Sequence, residues 1–219
     1  MFIWWSRWKM DILEEISQKV KELSFLAKGK RGLVYTGIYK GKKAAVKLQR
    51  PESKAIMRIA NEGNILKRIN KKKIGPKLIF YNERYLIYEF IDGDFIIAFL
   101  EKAKKERIKK VLVDIFNQLH ILDKLKIDKE EMHHPPKHII VSKTVLRPVL
   151  IDFERAHFTE KPKNVTQFIQ YVVSKRIMDL LNDKGIRIDR EDLLYLAREY
   201  KTNYTNKNFD SILAAVKKA

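Results

Sequence analysis

The chain has 219 residues, of which 45% are hydrophobic and 11% aromatic, and this composition excludes a disordered protein and predicts one domain or two small lobes. It contains no cysteine, which excludes disulfide bonds and thiolate metal sites and favours a cytoplasmic location. The formal net charge is +19, which favours phosphate-rich partners such as nucleotides, RNA, DNA or an anionic membrane, or else a lysine-rich surface that only keeps the protein soluble.

The N-terminal stretch MFIWWSRWKM places Trp4, Trp5 and Trp8 at helical spacing. Such a face either packs on its own domain or docks on a partner or a membrane surface. No stretch approaches the roughly 18–20 apolar residues that span a bilayer, so no transmembrane segment is expected. Over residues 10–23 apolar side chains recur with the period of a helix, which predicts a first helix. These apolar residues are Ile12, Ile16, Val20 and Leu23.

The next part of the chain has a sequence pattern typical of β-strands. Three apolar runs cover Phe25–Ala27, Leu33–Tyr39 and Ala44–Leu48, and the turns between them carry glycine. This pattern predicts an antiparallel meander. A helix over 52–69 follows, and the segments IGPKLIFYN and RYLIYEFIDG predict two further strands.

Beyond these strands the pattern is mostly helical, from Phe95 to Leu125 and again after Phe158. Between the helical stretches, the apolar runs His138–Val141 and Val149–Asp152 predict a hairpin whose polar turn is closed by Pro148. The change from strands to helices at 91–94 predicts two domains, an N-terminal lobe over 1–91 and a helical C-terminal lobe over 92–219.

Two glycines and one lysine in an apolar strand are the first candidates for binding an anionic ligand. Gly29 and Gly32 flank a turn between strands, where backbone N–H groups can approach an anion because no Cβ intervenes. Lys47 lies in the apolar strand AAVK, and burying its ammonium is costly unless an anionic group meets it. Glu62 in the following helix is a candidate partner; the alternative is an edge-strand lysine that reaches solvent.

As a set, these segments resemble the protein kinase fold. AAVK resembles the family's V-A-I-K motif, LIYEFIDG its hinge strand, and LIDFE its D-F-G segment. The short C-terminal part is most similar to small atypical kinases: the RIO group, the kinase subunit of the KEOPS complex, and a set of archaeal serine/threonine kinase-like proteins. The resemblance implies an α+β, bilobal kinase-like fold, with a five-stranded antiparallel sheet and one main helix in the N-terminal lobe and a reduced helical C-terminal lobe.

The resemblance also implies ATP and Mg²⁺ or Mn²⁺ as cofactors, and a role for each matching residue. Lys47, paired with Glu62, would contact the α- and β-phosphates, and Asp152 would bind the metal. The remaining nucleotide contacts would come from the backbone of Gly29–Gly32, the apolar side chains of Val34 and Ala45, the gatekeeper Tyr88, and the backbone of Glu89, Phe90 and Ile91.

The segment HHPPKH departs from the family's catalytic loop, H-R-D-L-x-x-x-N. An alignment without gaps puts His133 in place of the catalytic Asp and His138 in place of the metal-binding Asn. An insertion near Pro135 makes Glu131 the catalytic acid instead, and chemistry favours this carboxylate, although a loop without a base stays open. Imidazole suits Mn²⁺ or Zn²⁺ better than Mg²⁺. An alternative is therefore a transition-metal site made of His133, His134, His138 and Asp152.

Glu154 stands where the family has glycine, and no A-P-E motif follows it. We therefore expect phosphoryl transfer to a serine/threonine or specialised acceptor (a protein, a small molecule or an RNA-bound partner), or ATP hydrolysis. One alternative is a pseudokinase that scaffolds or senses nucleotide. Another is a basic RNA-associated protein with a vestigial kinase lobe, which would use the lysine-rich segments 67–73 and 102–110.

Overall fold

The structure is a computed structural model that describes residues 2–29, 32–49 and 57–219, with side chains from residue 10 onward. The chain divides into two compact units, each described by itself. The first unit comprises Met1–Phe90 together with Phe153–Arg155, and the second comprises Ile91–Asp152 together with Ala156–Ala219. The tryptophan side chains of the N-terminal helix lie outside the described residues.

The first unit is built on an antiparallel sheet of five strands in the order β1-β2-β3-β5-β4. Its elements are α1 (Phe2–Ser17), β1 (Lys21–Lys28), β2 (Gly32–Tyr39), β3 (Lys42–Gln49), α2 (Arg58–Ile69), the 3₁₀ turn Asn70–Lys72, β4 (Leu78–Tyr81) and β5 (Tyr85–Glu89). The predicted α+β class, the meander and the five-stranded antiparallel sheet are confirmed.

The prediction of a helix over residues 10–23 is wrong at its C-terminal end. The helix α1 ends at Ser17, and Leu23 lies in β1, where Lys21 pairs with Ile38 of β2. Pairing with β2, although its register is irregular at two places, satisfies backbone groups of β1 and overrides the helical pattern there. At the next helix, Met57 has a left-handed backbone (φ 67°) and α2 begins at Arg58. Residues 52–56 of that predicted helix lie outside the described residues.

The two faces of the sheet carry different side chains, because residues directly opposite in antiparallel strands point to the same side. On one face, buried apolar residues of the strands pack against Ile12 and Ile16 of α1. This face contributes Leu33, Tyr35, Ala44, Val46, Leu48, Tyr85 and Ile87. The opposite face therefore holds the alternate positions of the same strands, and Lys47 is one of them.

The second unit is mostly helical. Its elements are β6 (Gly93–Phe95), α3 (Ile96–Lys102), α4 (Lys105–Lys124), β7 (Ile127–Asp128), β8 (Ile139–Ser142), β9 (Pro148–Leu150), β10 (His157–Phe158), α5 (Asn164–Val172), α6 (Lys175–Asp183), α7 (Arg190–Thr202) and α8 (Asn206–Lys218). The predicted helix over 95–125 is two helices, because Ala103 and Lys104 are extended (ψ 154° and 156°).

The predicted hairpin in the second unit is confirmed. Strands β8 and β9 pair antiparallel, with Ile139 opposite Leu150, and the Ile151 N–H donates to the His138 carbonyl at 2.9 Å. His138, just before β8, and Asp152, shortly after β9, therefore lie at the same open end of the hairpin.

A buried polar network connects α4 to α5. Asp123 accepts hydrogen bonds from the Nδ2 and backbone N–H of Asn164, from the Val165 N–H and from the Tyr200 hydroxyl. Burial raises the pKa of Asp123 to about 6, although these hydrogen bonds act in the opposite direction. The same network includes His120, whose Nδ1 lies 2.8 Å from the Tyr200 hydroxyl and whose pKa is lowered by burial.

Across the described ranges, every helix is too short or too polar to traverse a lipid bilayer.

Candidate functional site

Lys47 lies on β3, on the sheet face opposite α1. It stands directly opposite Val34 of β2, and Ala45, two residues earlier, stands opposite Tyr88 of β5. Successive side chains in a strand alternate, so Lys47, Val34, Ala45 and Tyr88 share one face of the sheet. Four residues expected to contact a nucleotide are therefore neighbours on one surface.

Lys47 and Glu62 form a buried ion pair. The Lys47 Nζ lies 2.7 Å from the Glu62 Oε2, and the two residues are 8% and 2% exposed. The other oxygen, Glu62 Oε1, accepts the backbone N–H of Phe153 at 3.0 Å. The contact predicted between Lys47 and Glu62 is present, and the buried carboxylate has a partner on each oxygen.

The position of Glu62 depends on close packing between α2 and β4. An added Cβ at Gly63 would lie 2.1–2.8 Å from ring atoms of Tyr81, so only glycine allows this approach. The Tyr81 hydroxyl also donates to the Asn64 Oδ1 at 2.7 Å. The residue after Glu62 thus determines how near the helix lies to the sheet.

The glycine turn between β1 and β2 is adjacent to the lysine. The Gly29 N–H donates to the Gly32 carbonyl at 2.9 Å, and residues 30 and 31 between them lie outside the described ranges. A Cβ added at Gly32 would meet the Leu48 carbonyl at 3.0 Å and the Lys47 Cε at 3.6 Å. The backbone at Gly32 therefore lies close to the Lys47 side chain. A larger residue at position 32 would push the two apart.

Glu154 provides a second carboxylate near Lys47. Its Oε2 lies 3.4 Å from the Lys47 Nζ, and its Oε1 lies 3.7 Å from the Nη1 of Arg58. The Glu154 carbonyl accepts a hydrogen bond from the Asn61 Nδ2 at 3.2 Å. Glu154 is thus held against α2 and faces two cations.

The predicted adenine-binding backbone is partly used within the sheet. The Glu89 N–H donates to the Lys77 carbonyl at 2.9 Å, and the Phe90 N–H donates to the Lys43 carbonyl at 3.2 Å. Neither N–H can serve an adenine ring in this arrangement. Ile91, the third residue of the predicted hinge, begins the second unit.

In the second unit, the loop between β7 and β8 places Glu131 beside His138. The Glu131 Oε2 lies 3.5 Å from the His138 Nε2, and the His138 Nδ1 lies 3.5 Å from the Lys129 Nζ. Glu131 and Asp152 both have left-handed backbones, with φ values of 59° and 62°. Non-glycine residues adopt this conformation at a cost of about 1–2 kcal/mol, and such strain is concentrated at functional sites.

Lys129 is a residue that sequence reasoning missed. It is 2% exposed, and its Nζ donates to the Asp152 carbonyl at 3.0 Å. Its ammonium therefore connects the backbone of Asp152 to the ring of His138. The sequence gives little signal of this role, because Lys129 is one of many lysines and lies in a charged stretch, DKEE.

The two ring nitrogens of His138 face a cation and a carboxylate. An ammonium can only donate, so the Nδ1 facing Lys129 is the acceptor and a neutral ring carries its proton on Nε2. That Nε2–H points towards the Glu131 carboxylate. A metal bound at Nδ1 would have to replace the contact with Lys129.

The alternative transition-metal site is not assembled. His133 and His134 are exposed, and residues 2–29, 32–49 and 57–219 contain no group of three or more His, Asp or Glu side chains that could hold a metal ion. Asp152 remains as a single carboxylate. Mg²⁺ commonly binds one or two protein carboxylates and takes its other ligands from substrate phosphates and water, so a preformed cluster is not needed for it.

The two basic segments differ in their surroundings. In the first, Lys67 at the end of α2 and Lys71–Lys73 are exposed. In the second, the Lys105 Nζ donates to the Gly185 and Ala219 carbonyls, so this lysine holds the C-terminus in place. Of the two segments, only the first presents three consecutive exposed lysines, Lys71–Lys73.

No protein-family model matches the chain. A comparison with curated proteins gives an archaeal relative, "Uncharacterized protein MJ1211" of Methanocaldococcus jannaschii, with 31% identity over 116 residues. The aligned region covers 53% of this chain and 97% of the relative.

Proposed function

The chain belongs to the family of the M. jannaschii protein MJ1211, and we propose that it is an ATP-binding phosphotransferase with a kinase-like fold. In this proposal the sheet and α2 are the N-terminal lobe, and the helical unit is the C-terminal lobe. The reaction would break the bond between the γ-phosphorus and the β,γ-bridging oxygen of ATP. A new bond would form to an acceptor hydroxyl or to water, and ADP would leave.

The observation that carries the proposal is the buried pair of Lys47 and Glu62. The sheet face around the Lys47 ammonium carries the apolar side chains of Val34 and Ala45, on which a nucleotide base would pack. The ammonium itself would bind the phosphates. Glu62 holds the ammonium in place, and the backbone at Gly32 passes close to its side chain. Preorganised positive charge of this kind stabilises phosphoryl transfer mainly by electrostatics.

A divalent cation would be held by the carboxylate of Asp152, which precedes Phe153 in the chain. When bound, it would supply charge neutralisation to the phosphates. One contact within the second unit, made by Lys129, supports this assignment. Lys129 donates to the Asp152 carbonyl, which restrains the backbone from which that carboxylate projects.

Glu131 is the proposed general base for the acceptor hydroxyl. Its carboxylate faces the Nε2 of His138, and the Nδ1 of the same ring faces the Lys129 ammonium, so a chain of polar contacts supports its orientation. His133, the other candidate, is exposed on the adjacent loop. A positioned carboxylate of this kind contributes about 10²–10⁴-fold to proton transfer.

The acceptor is proposed to be a small molecule or a dedicated macromolecular partner. Between Asp152 and the start of α5 at Asn164, the described chain contains only the short strand β10 and connecting turns. This leaves little length for the extended segment on which ordinary protein kinases bind peptides.

A thermal-shift titration with ATP and Mg²⁺ tests the proposal. A ligand that binds only the folded state raises the melting temperature, and at about a hundredfold excess over Kd we expect a rise of about 5–10 °C. GTP and AMP serve as comparison ligands. No rise with any of these nucleotides in the wild-type chain would remove the basis of the proposal.

A further inference from the structure

Two cations lie on opposite sides of the carboxylate of Glu154. Lys47 lies 3.4 Å from one oxygen and Arg58 lies 3.7 Å from the other. The side chains of Glu154 and Lys47 are 12% and 10% exposed. A carboxylate in such a position has lost most of its hydration, and two partners replace it.

The location of Arg58 is unfavourable unless an anion is present. Arg58 is the first residue of α2, where the helix dipole is positive, and the first turn carries no acidic residue. The Nη1 of Arg58 is buried and makes no hydrogen bond to the part of the chain that the structure describes. Its 3.7 Å contact with Glu154 is too long for a hydrogen bond. The guanidinium therefore has a buried donor that a closer anion could satisfy.

We propose that Lys47 and Arg58 form a two-cation phosphate site, and that Glu154 occupies this site until a polyphosphate displaces it. The inference rests on the proposed function, which it extends in two ways. Arg58 becomes a further phosphate-binding residue, and Glu154 becomes an internal competitor of the nucleotide.

The chemistry of the two anions explains how displacement works. A carboxylate carries one negative charge and two oxygens, whereas a pyrophosphate unit carries more charge and more acceptor oxygens. A guanidinium binds phosphate through parallel N–H groups, a geometry that the present contact with Glu154 does not provide. Polyphosphate therefore gains contacts with Arg58 that Glu154 lacks, but each binding event must first overcome the attraction of Glu154 for the two cations.

Isothermal titration calorimetry with sodium pyrophosphate tests the site without the rest of the nucleotide. The titration uses the full chain as wild type, Glu154→Gln and Arg58→Gln. Glu160→Gln serves as the matched control, because Glu160 is 79% exposed and pairs with Lys126 in the other unit. We expect Glu154→Gln to bind pyrophosphate about tenfold more tightly than wild type, Arg58→Gln about tenfold more weakly, and Glu160→Gln equally.

Glu154→Gln binding no more tightly than wild type would overturn the inference, as would the absence of pyrophosphate binding in all variants. Should Glu154→Gln fail to fold, unchanged affinity in Arg58→Gln would overturn it equally. A parallel titration with ATP and Mg²⁺ separates the two proposals. If wild type binds ATP but Glu154→Gln gains no pyrophosphate affinity, the inference fails and the proposed function stands. If Glu154→Gln gains pyrophosphate affinity but no variant binds ATP, the phosphate site stands and the proposed function fails.

Discussion

The Lys47 ammonium lies 2.7 Å from the Glu62 carboxylate, and both side chains are almost completely removed from water. Such a pair is a weak source of stability, because desolvating two charges costs about as much as their attraction returns. The pair matters because it fixes the position of the Lys47 ammonium. Glu62, also bound by the Phe153 N–H, holds one positive charge at a defined point on a sheet face.

Replacing Lys47 with Met should distinguish the contribution of the ion pair to stability from its role in nucleotide binding. The single variant leaves the Glu62 carboxylate buried without the ammonium, so we expect a loss of about 3 kcal/mol in the free energy of unfolding. The double variant Lys47→Met/Glu62→Met should recover most of that loss. Chemical denaturation of both variants measures these changes.

Neither variant should show the rise in melting temperature that ATP gives the wild-type chain. Lys42→Met is the control, because Lys42 is an exposed lysine of the same strand. Retention of the ATP-dependent rise in the double variant would show that Lys47 does not bind the nucleotide.

Glu131→Gln and His133→Ala should have different effects on ATP turnover. The first removes the proposed base while keeping its shape, so kcat should fall by about 10²–10⁴-fold with KM for ATP nearly unchanged. The second alters an exposed side chain and should leave kcat unaffected. Steady-state measurement of ADP release gives both constants.

The reverse pattern, a large loss in His133→Ala and none in Glu131→Gln, would make the histidine the base. A wild-type chain that binds ATP without any turnover would instead favour the pseudokinase alternative.

Gly63→Ala should destabilise the chain, although alanine is the better helix former. The new methyl would meet the Tyr81 ring at 2.1 Å, and overpacking of this kind costs about 1–3 kcal/mol against a propensity gain of about 1 kcal/mol. We expect the melting temperature to fall by several degrees and the affinity for ATP to weaken, because Glu62 moves with the helix.

A double-mutant cycle identifies the cause of that loss. In a Tyr81→Ala background the ring is absent, so adding Gly63→Ala should be neutral or stabilising. An equal loss in both backgrounds would mean that contact with Tyr81 is not what requires glycine.

Asp123 should make the stability of the second unit depend on pH. Burial raises its pKa from 3.8 to about 6, so the folded state binds a proton more tightly than the unfolded state. The resulting stabilisation is complete below pH ~4 and is lost as the pH rises through 6, a change of about 3 kcal/mol. His120, whose pKa burial lowers, acts in the opposite sense and loses its contribution as the pH falls below its unfolded value of 6.5.

Denaturation of wild type and Asp123→Asn between pH 4 and pH 7 isolates the contribution of Asp123. The amide does not titrate, and it replaces one acceptor of the network with a donor, so the variant should be less stable throughout. Its deficit relative to wild type should be largest near pH 4 and shrink by about 3 kcal/mol by pH 7. A deficit that is constant over this range would contradict the raised pKa.

Local patterns in the sequence were enough to predict the sheet and the hairpin. Alternation and glycine turns define β2 and β3. An ammonium in the apolar run AAVK required an anionic partner, for which Glu62 was the candidate within the apolar stretch of the next helix. Patterns of this kind depend on neighbours in the chain, so they can be read without coordinates.

Contacts between distant segments were not predictable in the same way. Glu154 was identified as a replacement for glycine, but its approach to Arg58 depends on two segments far apart in the chain. The burial of Lys129 and its contact with Asp152 depend on how the loop after β7 turns, through left-handed residues that no glycine marks. His138 was proposed as a ligand from an alignment, which gave no sign that its ring lies 3.5 Å from both Lys129 and Glu131.

A crystal structure with a non-hydrolysable ATP analogue and Mn²⁺ tests the central claim most directly. We expect a phosphate oxygen within about 3 Å of the Lys47 Nζ, with Mn²⁺ bound by the Asp152 carboxylate. The same structure should show Glu154 turned away from Lys47. A nucleotide bound elsewhere, with Lys47 still paired to both Glu62 and Glu154, would show that Lys47 is not a nucleotide-binding residue.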